Sequence, residues 1–110
     1  MQAKKALTAA EIGYYGERHA TAWLTANGYA CIRNTQQPGA TDIDATSSKA
    51  SLYVQVKTAV SPNSPVQLSA DERNAIVARA NRNSREAWLA QVTVDADGNL
   101  IGKITWTKLN

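Results

Sequence analysis

Thr41-Asp-Ile-Asp-Ala-Thr46 and Ser51-Leu-Tyr-Val-Gln-Val-Lys-Thr58 each alternate with a period of two, and Ser47-Ser-Lys-Ala50 lies between them. That period belongs to a strand, whose successive side chains point to opposite faces. The four intervening residues suit the loop of an antiparallel hairpin. Closing it with Thr46 opposite Ser51 sets Asp44 opposite Tyr53 and Asp42 opposite Gln55. Asp42, Asp44, Tyr53, Gln55 and Lys57 then share one face, while Ile43, Ala45, Leu52, Val54 and Val56 fill the other. Oxygen-bearing side chains and an ammonium group thus meet on strands whose reverse side is apolar.

Magnesium prefers hard oxygen ligands, keeps some of its waters, and is commonly held by one or two carboxylates plus a substrate phosphate. The Asp42 carboxylate, the Gln55 amide oxygen and the Val56 backbone carbonyl form such a set, with Mn2+ as a possible substitute for Mg2+. A cation there lowers the pKa of a bound water and polarises a phosphate. Lys57, two residues beyond Gln55, suits the task of orienting the attacking water or neutralising charge on the phosphorane-like transition state. Asp44 takes over from Asp42 if the register slips by two residues. The expected pairing favours Asp42 as the main ligand and leaves Asp44 as a second-metal or supporting candidate.

Upstream, Thr8-Ala-Ala-Glu11 is a capping box, which predicts a helix from Thr8 to about Asn27. Ile12, Gly16, Ala20, Trp23 and Leu24 form its core stripe, and Gly28 stands where a left-handed cap is needed. A short strand is expected over Tyr29 to Arg33, followed by a loop over 34–39. Downstream, a turn-rich segment over 61–65 precedes a second capping box, Ser69-Ala-Asp-Glu72, and a helix to about Arg82 with Ile76, Val77 and Ala80 on its apolar face. Trp88 to Asp95 and Leu100 to Thr107 read as a closing hairpin around Asp97-Gly98, with Leu100, Gly102, Ile104 and Trp106 on one side. The order is α-β-β-β-α-β-β, and one sheet flanked by helices is the simplest packing.

The chain has 110 residues, the size of one domain, so residues 1–110 are expected to build a single core. The apolar fraction of 44% is ordinary, and no stretch approaches the roughly 18 apolar residues that a membrane span needs. Met1 to Leu7 carries two lysines but lacks the apolar segment of a secretory signal, so a cytoplasmic protein is expected. The lone Cys31 excludes an internal disulfide and a cysteine zinc cage, and reads as a small buried hydrophobe. The net charge of +3 gives a mild bias toward a polyanion.

Thr41-Asp42, a short gap and Gln55-Val-Lys57 resemble the motif of the PD-(D/E)XK nuclease superfamily, in its variant with glutamine before X-Lys. Gly16-Glu17, Gly28-Tyr29, Asp-Ile-x-Ala-Thr and Val-Gln-Val-Lys-Thr are similar to small prokaryotic members: archaeal-type Holliday junction resolvases, Mrr-like restriction domains and intron homing endonucleases. The likeness runs from about Ala10 to Thr58. It implies an α/β (α+β), restriction-endonuclease-like core of three layers with a central mixed sheet. It also implies a metal-dependent DNA endonuclease in which Glu17 joins Asp42, Gln55 and Lys57 as a catalytic residue. Glu17 lies at the edge of the apolar stripe beside Leu24, where a carboxylate can reach the sheet. Threonine at 41 replaces the motif's proline, and Gln55 removes one negative charge from the metal site.

Branched DNA is the substrate expected first, because so small a core leaves little room for a base-reading module and must recognise shape and backbone. A homodimer, as in resolvases of this fold, would present two active sites to two strands. A restriction- or homing-type core acting on duplex DNA, and a catalytically silent DNA-binding module, are the alternatives. Arg33, Lys49, Arg79, Arg82 and Arg85 are candidates to line the DNA approach, although a solvated basic face accounts for them equally well. Arg73, within the apolar stripe of the second helix, either snorkels from the core edge or reaches a phosphate. His19 and the three tryptophans, Trp23, Trp88 and Trp106, are read as structural.

Overall fold

The computed structural model describes residues 5–34 and 41–110, so all of the expected 34–39 loop except Asn34 lies outside the described residues. The elements run α1 (Ala9–Ala26), β1 (Ala30–Arg33), β2 (Ile43–Thr46), β3 (Ser51–Val60), α2 (Ala70–Arg82), β4 (Glu86–Val94) and β5 (Thr105–Lys108). The strands form one mixed sheet in the order β1-β2-β3-β4-β5. Only β3 and β4 run parallel, and α2 is the crossover that such a connection requires.

Both capping boxes form as the sequence predicts. Thr8 accepts from the backbone of Glu11 and Glu11 returns the bond, and Ser69 and Glu72 do the same at α2. Gly28, at φ +91°, turns the chain out of α1 toward β1. The β2–β3 hairpin has the predicted register, with Thr46 opposite Ser51 and Asp44 opposite Tyr53.

Parity then divides the core. Ile43, Ala45, Leu52 and Val54 pack with Ala20 and Leu24 of α1 on one face of the sheet. Tyr53, Ala87, Leu89 and Leu109 pack with Ile76 and Ala80 of α2 on the other. Burying a Leu, Ile or Val side chain contributes roughly 1.5–3 kcal/mol, so these clusters fix which face each β3 side chain occupies. Trp23 lies at the margin of the first cluster, with its ring 4.8 Å from that of Trp106. Cys31 is half-buried beside that cluster, and burial pushes its thiol upward.

The closing hairpin differs from the expected one. Its second strand is confined to Thr105–Lys108, and Val94–Leu100 is an isolated bridge. Val94 pairs with Leu100 but Gln91 pairs with Thr105, so the returning arm carries two more residues than the outgoing one. Gly102, at φ +67°, accommodates that excess outside the ladder. Ile104 and Trp106 reach the α1-side core as expected, whereas Leu100 and Gly102 are exposed.

Candidate active site

Asp42 precedes β2 by one residue and is held from two sides. Its carbonyl accepts from the Asn34 backbone at 2.8 Å, and its own N–H donates to the Val54 carbonyl at 2.9 Å. Its side-chain Oδ2 accepts the Val56 N–H at 2.8 Å. Burial raises the Asp42 pKa, against the opposing effects of the Val56 N–H and the Lys57 charge, while the Glu72 carboxylate adds to the rise. Asp42, Lys57 and Glu72 therefore lie within electrostatic reach of one another.

Gln55 and Lys57 sit on β3, in register with Leu89 and Gln91 of β4. Lys57 Nζ donates to Glu72 Oε2 at 2.7 Å, which brings the first turn of α2 to the strand. Gln55 is half-buried, and among the described residues its amide has no hydrogen-bond partner. Val56, between them, keeps its place in the ladder opposite Ala90.

Glu17 enters from α1. Gly16 is buried against Thr58 of β3, where any Cβ would overlap the threonine side chain, so the helix approaches the strand at the residue before Glu17. The Glu17 carboxylate lies 3.5 Å from the Arg33 guanidinium. Burial raises its pKa most, the Asp42 charge raises it further, and Arg33 opposes both. Two partly desolvated carboxylates that repel one another are the kind of donors that suit a hard divalent cation. Among the described residues no three His, Cys, Asp or Glu side chains are grouped closely enough to hold a metal, so a cation here depends on amide, backbone and water oxygens as well.

Asp44, the second-metal or supporting candidate, meets a cationic side chain. It is ion-paired with Arg85, whose guanidinium lies over the Tyr53 ring at 4.7 Å. Sequence reasoning missed both this pair and Glu72. Each depends on where α2 docks, which local pattern does not specify.

The expected DNA-contacting residues fall into two groups. Arg33 is engaged by Glu17 and lies over Tyr14, Arg79 lies over Tyr53, and Arg73 donates to the Leu109 carbonyl at 3.5 Å. Lys49 in the hairpin loop and Arg82 at the end of α2 are exposed, with no side-chain partner among the described residues. His19 Nε2 is 2.8 Å from the Gly98 carbonyl, which fits its structural reading. No described helix is long and apolar enough to cross a membrane.

No protein-family model matches this chain, and no curated protein matches it. Among solved structures, it is similar to Hjc, a Holliday junction resolvase from the archaeal hyperthermophile Archaeoglobus fulgidus. The TM-score is 0.69 and the identity 27%, over 88% of this chain and 72% of that one. The five-stranded mixed sheet with its two helices has the Hjc resolvase fold, and that neighbour belongs to the PD-(D/E)XK-like nuclease superfamily.

Proposed function

We propose that this chain is a metal-dependent endonuclease of the PD-(D/E)XK type that hydrolyses phosphodiester bonds in branched DNA. The observation that carries this reading is that Asp42 feels the charges of both Lys57 and Glu17, on the fold of a Holliday junction resolvase. Asp42, Gln55, the Val56 carbonyl and Glu17 would hold Mg2+ or Mn2+. When bound, the cation supplies Lewis acidity toward the phosphate and acidifies a water.

The protein's own groups perform the remaining work. The Val56 N–H fixes the orientation of the Asp42 carboxylate, so no reorganisation is needed when a ligand arrives. Lys57 places positive charge beside Asp42, where it can steer the attacking water and offset charge on the phosphate as the 3′ oxygen leaves. Arg33 neutralises part of the Glu17 charge and restrains its side chain. Lys49 and Arg82 offer uncommitted cations to the DNA backbone, and a homodimer would set two such sites against two strands.

The test is cleavage of a four-way junction, linear duplex and single strand in Mg2+ or Mn2+. Metal-dependent cutting of the junction in preference to the duplex is expected. Preferential duplex cutting would move the reading to a restriction- or homing-type core. Inertness on all three substrates, with DNA binding retained, would leave a silent DNA-binding module of the same fold.

A further inference from the structure

Position 55 carries no carboxylate, and Lys57, two residues further along the same strand, meets one from another element. Glu72, in the first turn of α2, contacts Lys57 at 2.7 Å, and its charge bears on Asp42. Its other oxygen, Oε1, accepts the Ser69 N–H at 2.9 Å, and its own N–H donates to Ser69 Oγ at 3.1 Å. The capping box thus aims one oxygen at the helix backbone and leaves the other for Lys57. Resting on the nuclease reading above, we infer that Glu72 is a positioning residue of this centre: it anchors the Lys57 ammonium beside Asp42 and supplies the negative charge that Gln55 does not carry.

Three features support the assignment. Lys57 makes no other side-chain hydrogen bond or close ion pair among the described residues, so without Glu72 only the more distant Asp42 charge restrains its long chain. The Glu72 carboxyl is held below its ordinary pKa, with the Lys57 hydrogen bond the largest cause and the Ser69 N–H next. The capping box also fixes the carboxylate more firmly than an ordinary surface glutamate, whose side-chain entropy opposes pairing.

Capping and charge can be separated experimentally. A glutamine at 72 can still accept the Ser69 N–H and close the box, but it brings no charge. Glu72→Gln is therefore expected to slow single-turnover junction cleavage about tenfold or more, as misplacement of an active group does. Junction affinity in Ca2+ should stay unchanged, and the midpoint of Mn2+-induced thermal stabilisation should move to higher concentration. Adding Gln55→Glu to that variant restores a carboxylate to the centre and should recover most of both losses. Ser69→Ala removes the hydroxyl that caps the Glu72 N–H but keeps the backbone N–H that holds Glu72 Oε1, so it should lower the melting temperature without slowing cleavage at a permissive temperature.

Wild-type cleavage with Glu72→Gln unimpaired would overturn the inference and leave the nuclease reading intact. It would also be overturned if Gln55→Glu restored neither quantity, or if Ser69→Ala slowed cleavage as much as Glu72→Gln. A wild-type protein that neither cuts DNA nor binds Mn2+ would remove the nuclease reading and this inference together.

Discussion

Asp42 Oδ2 accepts the backbone N–H of Val56 at 2.8 Å, which ties the carboxylate to the strand that carries Gln55 and Lys57. Asparagine at 42 keeps an acceptor for that bond and loses the charge. Asp42→Asn is therefore expected to reduce single-turnover cleavage by about 100-fold or more, the scale of a lost electrostatic contact at a reacting centre. Asp44→Asn releases Arg85 and should reduce it less than about fivefold, on the scale of a part-exposed ion pair. Equal, mild losses in the two variants would contradict the assignment of Asp42.

The raised pKa values of Asp42 and Glu17 set the sign of a pH effect. Folded protein binds protons at these carboxyls more tightly than unfolded protein does, so their contribution is fully present below the ordinary carboxylate range, about pH 4. It is lost as pH rises through the raised folded values. Without divalent metal, Asp42→Asn and Glu17→Gln should melt at higher temperature than wild type at pH 7, with the gap narrowing toward pH 4. Saturating Mn2+ should stabilise the wild type and reverse the order. Melting curves at the two pH values, with and without Mn2+, check both parts.

Lys57→Ala removes the ammonium and leaves β3 intact. Cleavage should fall by about 100-fold or more while junction affinity in Ca2+ stays within about twofold of wild type, because one cation contributes little to binding set by many phosphate contacts. Unchanged cleavage in a quench assay would take Lys57 out of the chemistry.

Gly16→Ala drives a methyl group into Thr58. A destabilisation of about 1–3 kcal/mol is expected, the usual range for overpacking, together with slower cleavage as α1 carries Glu17 away from Asp42. Thr58→Ala in the same background should recover part of the stability in urea titrations. If Gly16→Ala alone is neutral, the close approach of α1 to β3 is not needed.

Thr41 is only 4% exposed, and its hydroxyl has no hydrogen-bond partner among the described residues. Thr41→Val keeps the shape and removes the unsatisfied group, so stability should rise by about 1 kcal/mol in denaturant melts. A loss of similar size would reveal a partner for the hydroxyl.

The placement of the candidate residues was legible in the sequence wherever one strand period or one helical turn carried the information. The hairpin register follows from the alternation of Thr41 to Thr46 against Ser51 to Thr58, and it set Asp44 opposite Tyr53 correctly. Both helix starts follow from their capping boxes. What local pattern could not supply was the use of a residue already assigned one task. Glu72 reads as a cap because its spacing from Ser69 is complete in itself, and its second contact, to Lys57, exists only once α2 lies over β3. Arg85 was placed just past the helix but not paired, since its partner Asp44 is 41 positions away. The closing hairpin was overextended because Leu100 to Thr107 alternates well enough for a strand, and nothing nearby signals the extra residues at Gly102.

Glu17, Asp42, Gln55, Lys57 and Glu72 all come before the β4 strand, which nevertheless runs beside β3 from Leu52–Glu86 to Val60–Val94. The segment after Arg85 thus contributes sheet pairing and core to this arrangement, and none of the candidate groups. A chimera that keeps the first five elements and borrows a foreign strand pair with the same inward alternation should retain the candidate groups on their own elements. Simple truncation at Arg85 would instead strip a long apolar strand of its neighbour and invite sticking between molecules along the bared edge.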